Sequence, residues 1–276
     1  MFRIARVALY AVAAATVSGC IQSSTLIKMK ADGSGTIEQT MTMNADAVAQ
    51  FSALAAVGDD KNKSKASVDD LFSEKEARAA AAKMGQGVTF VSSQKIDTAD
   101  RKGIKATYAF TDISKISIEE MNSPSNAPAA GGTAPSPKDP PMKFQFKPLP
   151  GGHALLTILQ PGVDKAINAA PASKPDTSVD PKTAEQGLAL MKTFMKGLKV
   201  DVAVQVPHVV KTSSQYVDGG TVTLLSMDFD TILADPAMAE RLNKASNLSD
   251  TKALLKDFKG VKINLDPQVT IEFTGK

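Results

Sequence analysis

The chain is poor in the residues that carry most recognisable chemistry. Of 276 residues, one is cysteine, two are histidine, three are tyrosine and none is tryptophan. Because Cys20 is the single thiol, no internal disulfide can form. The two histidines, His153 and His208, fall short of the three or four converging ligands of a zinc site, and neither stands in an H-E-x-x-H or H-x-H spacing. Scarce aromatics leave platforms for stacking bases or sugars little to build on. The formal charge of +3 does not supply the basic, aromatic-interleaved face that nucleic acid recruits, so no nucleic-acid partner is expected. Phosphate cradles are missing as well. Gly33-Ser34-Gly35 and Gly85-Gln86-Gly87 never continue into G-x-x-G, and no G-x-x-x-x-G-K-S/T exists. Both read as turn and helix-stop glycines. No G-x-S-x-G elbow marks a hydrolase. Asp228, Asp230 and Asp235 cluster without the glycine and third near ligand of a calcium loop, and helix capping at Asp230 and Asp235 explains them more simply. No catalytic residue, cofactor or metal ligand is therefore expected, and the chain is read as a protein other than an enzyme.

Long hydrophobic runs are absent too. The uncharged stretch Val7 to Val17 follows Arg3 and Arg6 and precedes the small residues Ser18 and Gly19. That is the layout of an export signal: a basic start held by the cytoplasmic leaflet, then an apolar segment that inserts. About 11 residues at 1.5 Å each reach roughly 16 Å, half of a hydrocarbon core of about 30 Å, so a permanent transmembrane helix is not expected. Val17-Ser18-Gly19-Cys20 then resembles the lipobox of bacterial lipoproteins: a branched apolar residue, a small residue, Gly or Ala, and Cys. The resemblance implies diacylglycerol transfer to the Cys20 sulfur, cleavage between Gly19 and Cys20, and acylation of the new amine by palmitate-type chains. Each buried methylene contributes about 0.8 kcal/mol, so two or three chains hold the protein stably at a membrane. By the same resemblance, Ile21 in place of Asp favours the periplasmic leaflet of the outer membrane in a Gram-negative cell.

Past the signal at 1–19, hydropathy divides the chain into a first half at 20–121, a linker at 122–141 and a second half at 142–276. Residues 24–43 predict a hairpin turning at Asp32-Gly33-Ser34-Gly35, with Ile27 and Met29 facing Ile37, Met41 and Met43. Asn44 is placed to cap a helix over 45–57, and a second, Ala- and Glu-rich helix is expected over 69–84 with Gly85 ending it. Val88, Phe90 and Ile96 alternate on one side of a strand, and Ala106, Tyr108 and Phe110 line the next. The linker carries six prolines with small residues and offers little apolar surface to offset ordering. The pattern restarts at Phe144 and Phe146, turns at Pro150-Gly151-Gly152 and returns through Leu156 and Ile158. A helix is expected over 182–197, followed by the alternating Val200, Val202, Val204 and Val206 and a partner strand from Asp218-Gly219-Gly220 to Phe229. Two short helices follow, with Asp230 and Ser249 as caps, and a last strand spans 268–274.

One apolar face per strand predicts antiparallel sheet covered on one side, with single-stripe helices as the cover, so the expected class is α+β. The order hairpin, helix, hairpin at 24–111 and again at 142–229 raises an internal duplication, echoed by Phe110-Thr111-Asp112-Ile113 and Phe229-Asp230-Thr231-Ile232. Asp32-Gly33 and the Val200–Phe229 hairpin also resemble the LppM-type group of bacterial lipoproteins, which open after a lipidated cysteine with an extended segment bearing an Asp-Gly turn. That resemblance covers about half of the chain and brings no catalytic residues. The expectation is a membrane-anchored cell-envelope lipoprotein, a non-catalytic module that binds a protein partner or helps an envelope assembly. The alternative is a periplasmic carrier of lipid or another apolar ligand, for which the clustered methionines (Met29, Met41 and Met43; Met191 and Met195) would suit a groove. Cells fed radioactive palmitate should label the wild-type chain and leave Cys20→Ala unlabelled; equal incorporation in both would remove the anchor.

Overall fold

The computed structural model describes residues 21–49, 52, 67–118, 141–160, 197–235, 254 and 258–275. The larger sheet begins with four antiparallel strands, β1 (Ile21–Met29), β2 (Gly35–Asn44), β3 (Val88–Asp97) and β4 (Arg101–Phe110), side by side in the order β1-β2-β4-β3. On the other flank of β1, β8 (Lys199–Gln205) pairs in parallel, with Gln22 opposite Lys199 and Ile27 opposite Val204. Next comes β11 (Thr221–Asp228), antiparallel to β8, and its far edge is shared by β10 (Val217–Asp218) and β12 (Val261–Ile263). The smaller sheet has the order β5-β6-β7-β13-β9, made of β5 (Ser117–Ile118), β6 (Met142–Pro148), β7 (His153–Leu159), β13 (Gln268–Thr274) and β9 (His208–Thr212).

The two sheets share one core. Tyr108, Ile37, Ile27, Val204 and Val222 stand opposite one another on successive strands and are almost fully buried. Alternate residues of the smaller sheet join the same cluster: Phe144, Leu156, Ile158, Val269, Ile271 and Phe273. This corrects the α+β expectation. The described residues are mostly strand, and a second sheet, not a layer of helices, covers the apolar face of the first. One-sided alternation demands a cover, and helices and sheets supply it equally well. The duplicated unit is corrected with it. β1 to β4 lie together, whereas the later strands divide, with β6 and β7 in the smaller sheet and β8 and β11 in the larger.

Helices are short and sit at the corners. The single helix expected over 69–84 is two, α1 (Val68–Leu71) and α2 (Glu74–Ala81), because Ser67 and Ser73 each accept an N-cap hydrogen bond and Phe72 turns inward between them. α1 and the helical turn at 45–49, capped by Asn44 Oδ1 at 2.8 Å from Ala47 N, close a small cluster of Met43, Ala47, Val68 and Phe72. α2 sets Ala77 and Ala81 against the margin of the main core. A third helix, α3 (Phe229–Ala234), closes the corner at the same end of the sheet beyond β8 and β11, with Phe229, Ile232, Phe258 and Val261. The linker at 122–141 (apart from Pro141), the helix expected at 182–197 (apart from Gly197) and the cap at Ser249 fall outside the described residues.

Among the described residues three bulges break the period of two. Val91 is the extra residue in β3, Val210 in β9 and Leu224 in β11. Past Val91 the faces exchange: Lys95 stands opposite Ile104 on the inner side and Ile96 opposite Gly103 on the outer, so Ile96 does not share a face with Phe90. The hairpin turn between β1 and β2 holds as expected, with Gly33 at φ +85° against the Phe146 ring. A Cβ on Gly35 would fall 2.0 Å from Lys28 O, so the chain there has no room for one. Truncating Ile27 to Ala should cost about 3 kcal/mol of stability, seen as a lowered urea midpoint. Val91→Ser, at a side chain 55% exposed, should stay within about 0.5 kcal/mol. Equal shifts for the two would contradict the register.

Candidate functional site

Gly19 and Cys20, the residues of the expected cleavage and lipidation, lie outside the described residues. The first described residue, Ile21, opens β1, so no spacer separates Cys20 from a strand that is paired on both sides. Among the described residues no helix is long and apolar enough to cross a membrane.

Both histidines come to one place that their separation in sequence does not announce. Thr274 of β13 stands opposite His153 on β7 and opposite His208 on β9, so the three residues form one row across the smaller sheet. Next along β13, Glu272 faces Leu155 and Lys211, and its Oε1 lies 2.9 Å from His153 Nδ1. His153 and Glu272 are each about one-third exposed and His208 is exposed, so the row lies on open sheet surface. No group of three or more His, Cys, Asp or Glu converges among the described residues.

The aspartates near the end of β11 resolve into structural roles. Asp228, not Asp230, caps α3: its side chain accepts from Asp230 N and Thr231 N. It also receives Lys199 Nζ at 2.6 Å from the neighbouring strand. Asp230 reaches back instead to accept from Gly197 N at 2.6 Å, and Asp235 ends the helix. The Lys199 ammonium holds the Asp228 carboxyl below its ordinary value of 3.8, with the two backbone N–H groups adding to it and burial opposing. Lys199 is raised in turn, chiefly by Asp228. On the outer face of the larger sheet Glu38 bridges Lys28 and Lys105, and its carboxyl is lowered mainly by Lys28.

A groove opens where the smaller sheet meets the first hairpin. A 3-10 turn, Ile113–Lys115, follows β4, capped by Asp112 through Ser114 N. Ile113 N donates to Gly33 O at 3.0 Å, which ties this turn to the Asp32-Gly33 hairpin. Ser114 Oγ then accepts from Phe146 N at 3.0 Å on β6. Between the turn, β5 and β6 lies an open groove of about 470 Å³ lined by Ser114, Lys115, Ile116, Ser117, Lys143, Phe144, Gln145, Phe146 and Leu159. Phe144 and Ile116 are its buried base, and Lys115, Lys143, Ser117 and Gln145 form a cationic, hydrogen-bonding rim. These polar residues carry no motif, so motif reasoning passes over them. The usable signal was Pro148, because proline in a strand belongs at a sheet edge.

No family model matches the chain, and no curated protein matches it. Among solved structures it is similar to the folded domain of the LppM protein of Mycobacterium tuberculosis, determined by NMR. The identity is 11%, the match covers 95% of this chain and 94% of that one, and the TM-score is 0.31. At that score the likeness carries no argument about fold or activity. The electrostatics of the α3 cap do support a pH dependence. A carboxyl held below its unfolded value stabilises the fold fully above that value and loses the contribution as pH falls through the folded one. Asp228→Asn, which keeps a capping oxygen, should therefore show a shallower loss of urea midpoint than wild type on going from about pH 5 to about pH 2; an equally steep acid limb would count against the Lys199 pairing.

Proposed function

We propose that the chain is a membrane-anchored cell-envelope lipoprotein whose folded body is a non-catalytic module that binds a protein partner or helps an envelope assembly. The observation that carries this reading is the lipobox sequence Val17-Ser18-Gly19-Cys20, which adjoins, at Ile21, a described strand of the larger sheet. A signal removed before Cys20 would leave the acylated residue attached directly to the folded body, held close to the bilayer surface. Where the organism has two membranes, the lipoprotein resemblance, with Ile21 in place of Asp, supports the periplasmic leaflet of the outer one.

The packing also weighs between the two expected kinds of cargo. A carrier for an acyl chain needs a continuous apolar cavity, commonly of several hundred Å³. Here the space between the sheets is filled by side chains such as Leu156, Ile158, Leu224, Ile271 and Phe273, all fully buried, and the groove beside β6 is open and rimmed by lysines. Both features favour a surface that receives another protein over a pocket that swallows a lipid. Among the described residues the histidine row lies on exposed sheet surface, so it gives a hydrolytic reading little support.

Crosslinking in whole cells, followed by mass spectrometry of what co-purifies with the full chain, tests the proposal. A defined envelope protein should be recovered, with the chain in the membrane fraction and Cys20→Ala released from it. Recovery of bound lipid without any protein would turn the reading to the carrier.

A further inference from the structure

With Ala154, Leu156 and Ile158 turned into the core, the period of two sends His153, Leu155, Thr157 and Leu159 of β7 to the other face of the smaller sheet. Strand pairing then fixes what lies beside them. On β6, Lys147, Gln145 and Lys143 stand opposite Leu155, Thr157 and Leu159; on β13, Glu272, Thr270 and Gln268 do so from the other side. Lys211 of β9 follows Glu272 in its row, and Ser117 of β5 follows Lys143. Three lysines from distant segments thus share one face with a single carboxylate, Glu272, among the described residues. That carboxylate is turned to His153 Nδ1 at 2.9 Å. Lys143, Lys147 and Lys211 are exposed and make no ion pair among the described residues. The larger sheet treats outward lysines differently: Lys28 and Lys105 meet Glu38, and Lys199 meets Asp228. Leu155 and Leu159 are half-buried between the charged positions, which gives the face the apolar centre and polar rim of a protein contact.

We infer that this face of the smaller sheet receives an acidic surface of a partner protein. The inference rests on the partner-binding reading above and gives that partner its chemistry. Like charges held on one sheet without counter-charges raise the local potential, and an acidic patch set against them relieves it and is steered to it. Lys115 adds to the same field at the β5 margin, 3.8 Å from an Asp112 carboxylate that also caps the 3-10 turn. The headgroups of an anionic bilayer are the competing source of negative charge, and the position of Cys20 argues against them. Ile27 and Met29 belong to the core under the smaller sheet, whereas Ile21, next to Cys20, packs with the α1 corner. About 20 Å of β1 therefore separates a Cys20 anchor from the core beneath this face, more than twice the screening length of about 8 Å in physiological salt. Five strands about 4.8 Å apart make a face about 20 Å wide, which suits the small, transient class of interface.

Fluorescence anisotropy on the full chain tests this with labelled octaglutamate and octalysine as probes. Octaglutamate should bind saturably, at least about tenfold more tightly than octalysine, and weaken as salt rises from about 0.05 M to about 0.3 M. The reversal K143E/K147E/K211E should weaken octaglutamate at least about tenfold. K75E/K259E/K262E, an equal change of charge at exposed lysines elsewhere, should shift it less than about twofold. Urea midpoints matching wild type show that both variants fold. Absence of saturation at millimolar octaglutamate, or equal loss in the two triple variants, would overturn the docking face. So would vesicles of phosphatidylglycerol and phosphatidylethanolamine that sediment the Cys20→Ala chain and release it on K143E/K147E/K211E, because the face would then belong to the bilayer. Whole-cell crosslinking separates this failure from the broader one. A partner lost from K143E/K147E/K211E and kept by K75E/K259E/K262E supports the face. A partner kept by both overturns the face and leaves the partner-binding reading in place, whereas no partner for the wild-type chain removes the reading and the face together.

Discussion

Ile27 lies opposite Ile37 on one neighbouring strand and Val204 on the other, and Tyr108 and Val222 extend the row outward. Side chains alternate with a period of two, so a one-residue slip in any of these strands would turn its whole apolar set to water. The same row faces the smaller sheet, where Leu156, Ile158 and Ile271 fill the space against it. Register, sheet pairing and the joining of the two layers thus depend on one line of contacts. Most of the remaining structure protects it.

The two layers differ in size, and that mismatch explains where the helices are. A sheet of eight strands cannot be covered fully by one of five. The uncovered corners carry their own small clusters, one under α1 and the turn at 45–49, the other under α3. Short capped helices suffice because each has only a few side chains to shelter. The outward face of the larger sheet needs no cover. It presents Thr36, Thr40, Thr107 and the Lys28–Glu38–Lys105 group, whose surface ion pairs contribute little to stability.

Local signals were legible in the sequence, and long-range ones were not. The Asp32-Gly33 turn, the alternation of Val200 to Val206 and the Asn44 cap depend on neighbours within a few residues, and each stands where its pattern placed it. The bulges at Val91, Val210 and Leu224 were hidden because the extra residue is itself apolar and leaves the run of hydrophobic residues looking continuous. The α+β reading failed for a related reason: a one-sided strand looks the same under a helix and under another sheet. Asp228 and Asp230 are equally good caps by type, and only the pairing of Lys199 opposite Asp228 decides between them. The histidine row and the β6 groove join segments far apart in the chain, and no motif foretold either.

The order in which the strands appear has a consequence for when the molecule can exist. β1 is the first element of the described chain, yet one of its two flanks waits for Lys199 to Gln205; β13 ends at Thr274 and sits between β7 and β9 in the smaller sheet. Neither layer can close on a ribosome-bound fragment that stops short of those segments. Such distant pairings are also slow to form once the loop-closure entropy is counted. A polypeptide built this way stays open until its last strands have been made, so its body assembles after synthesis and not during it.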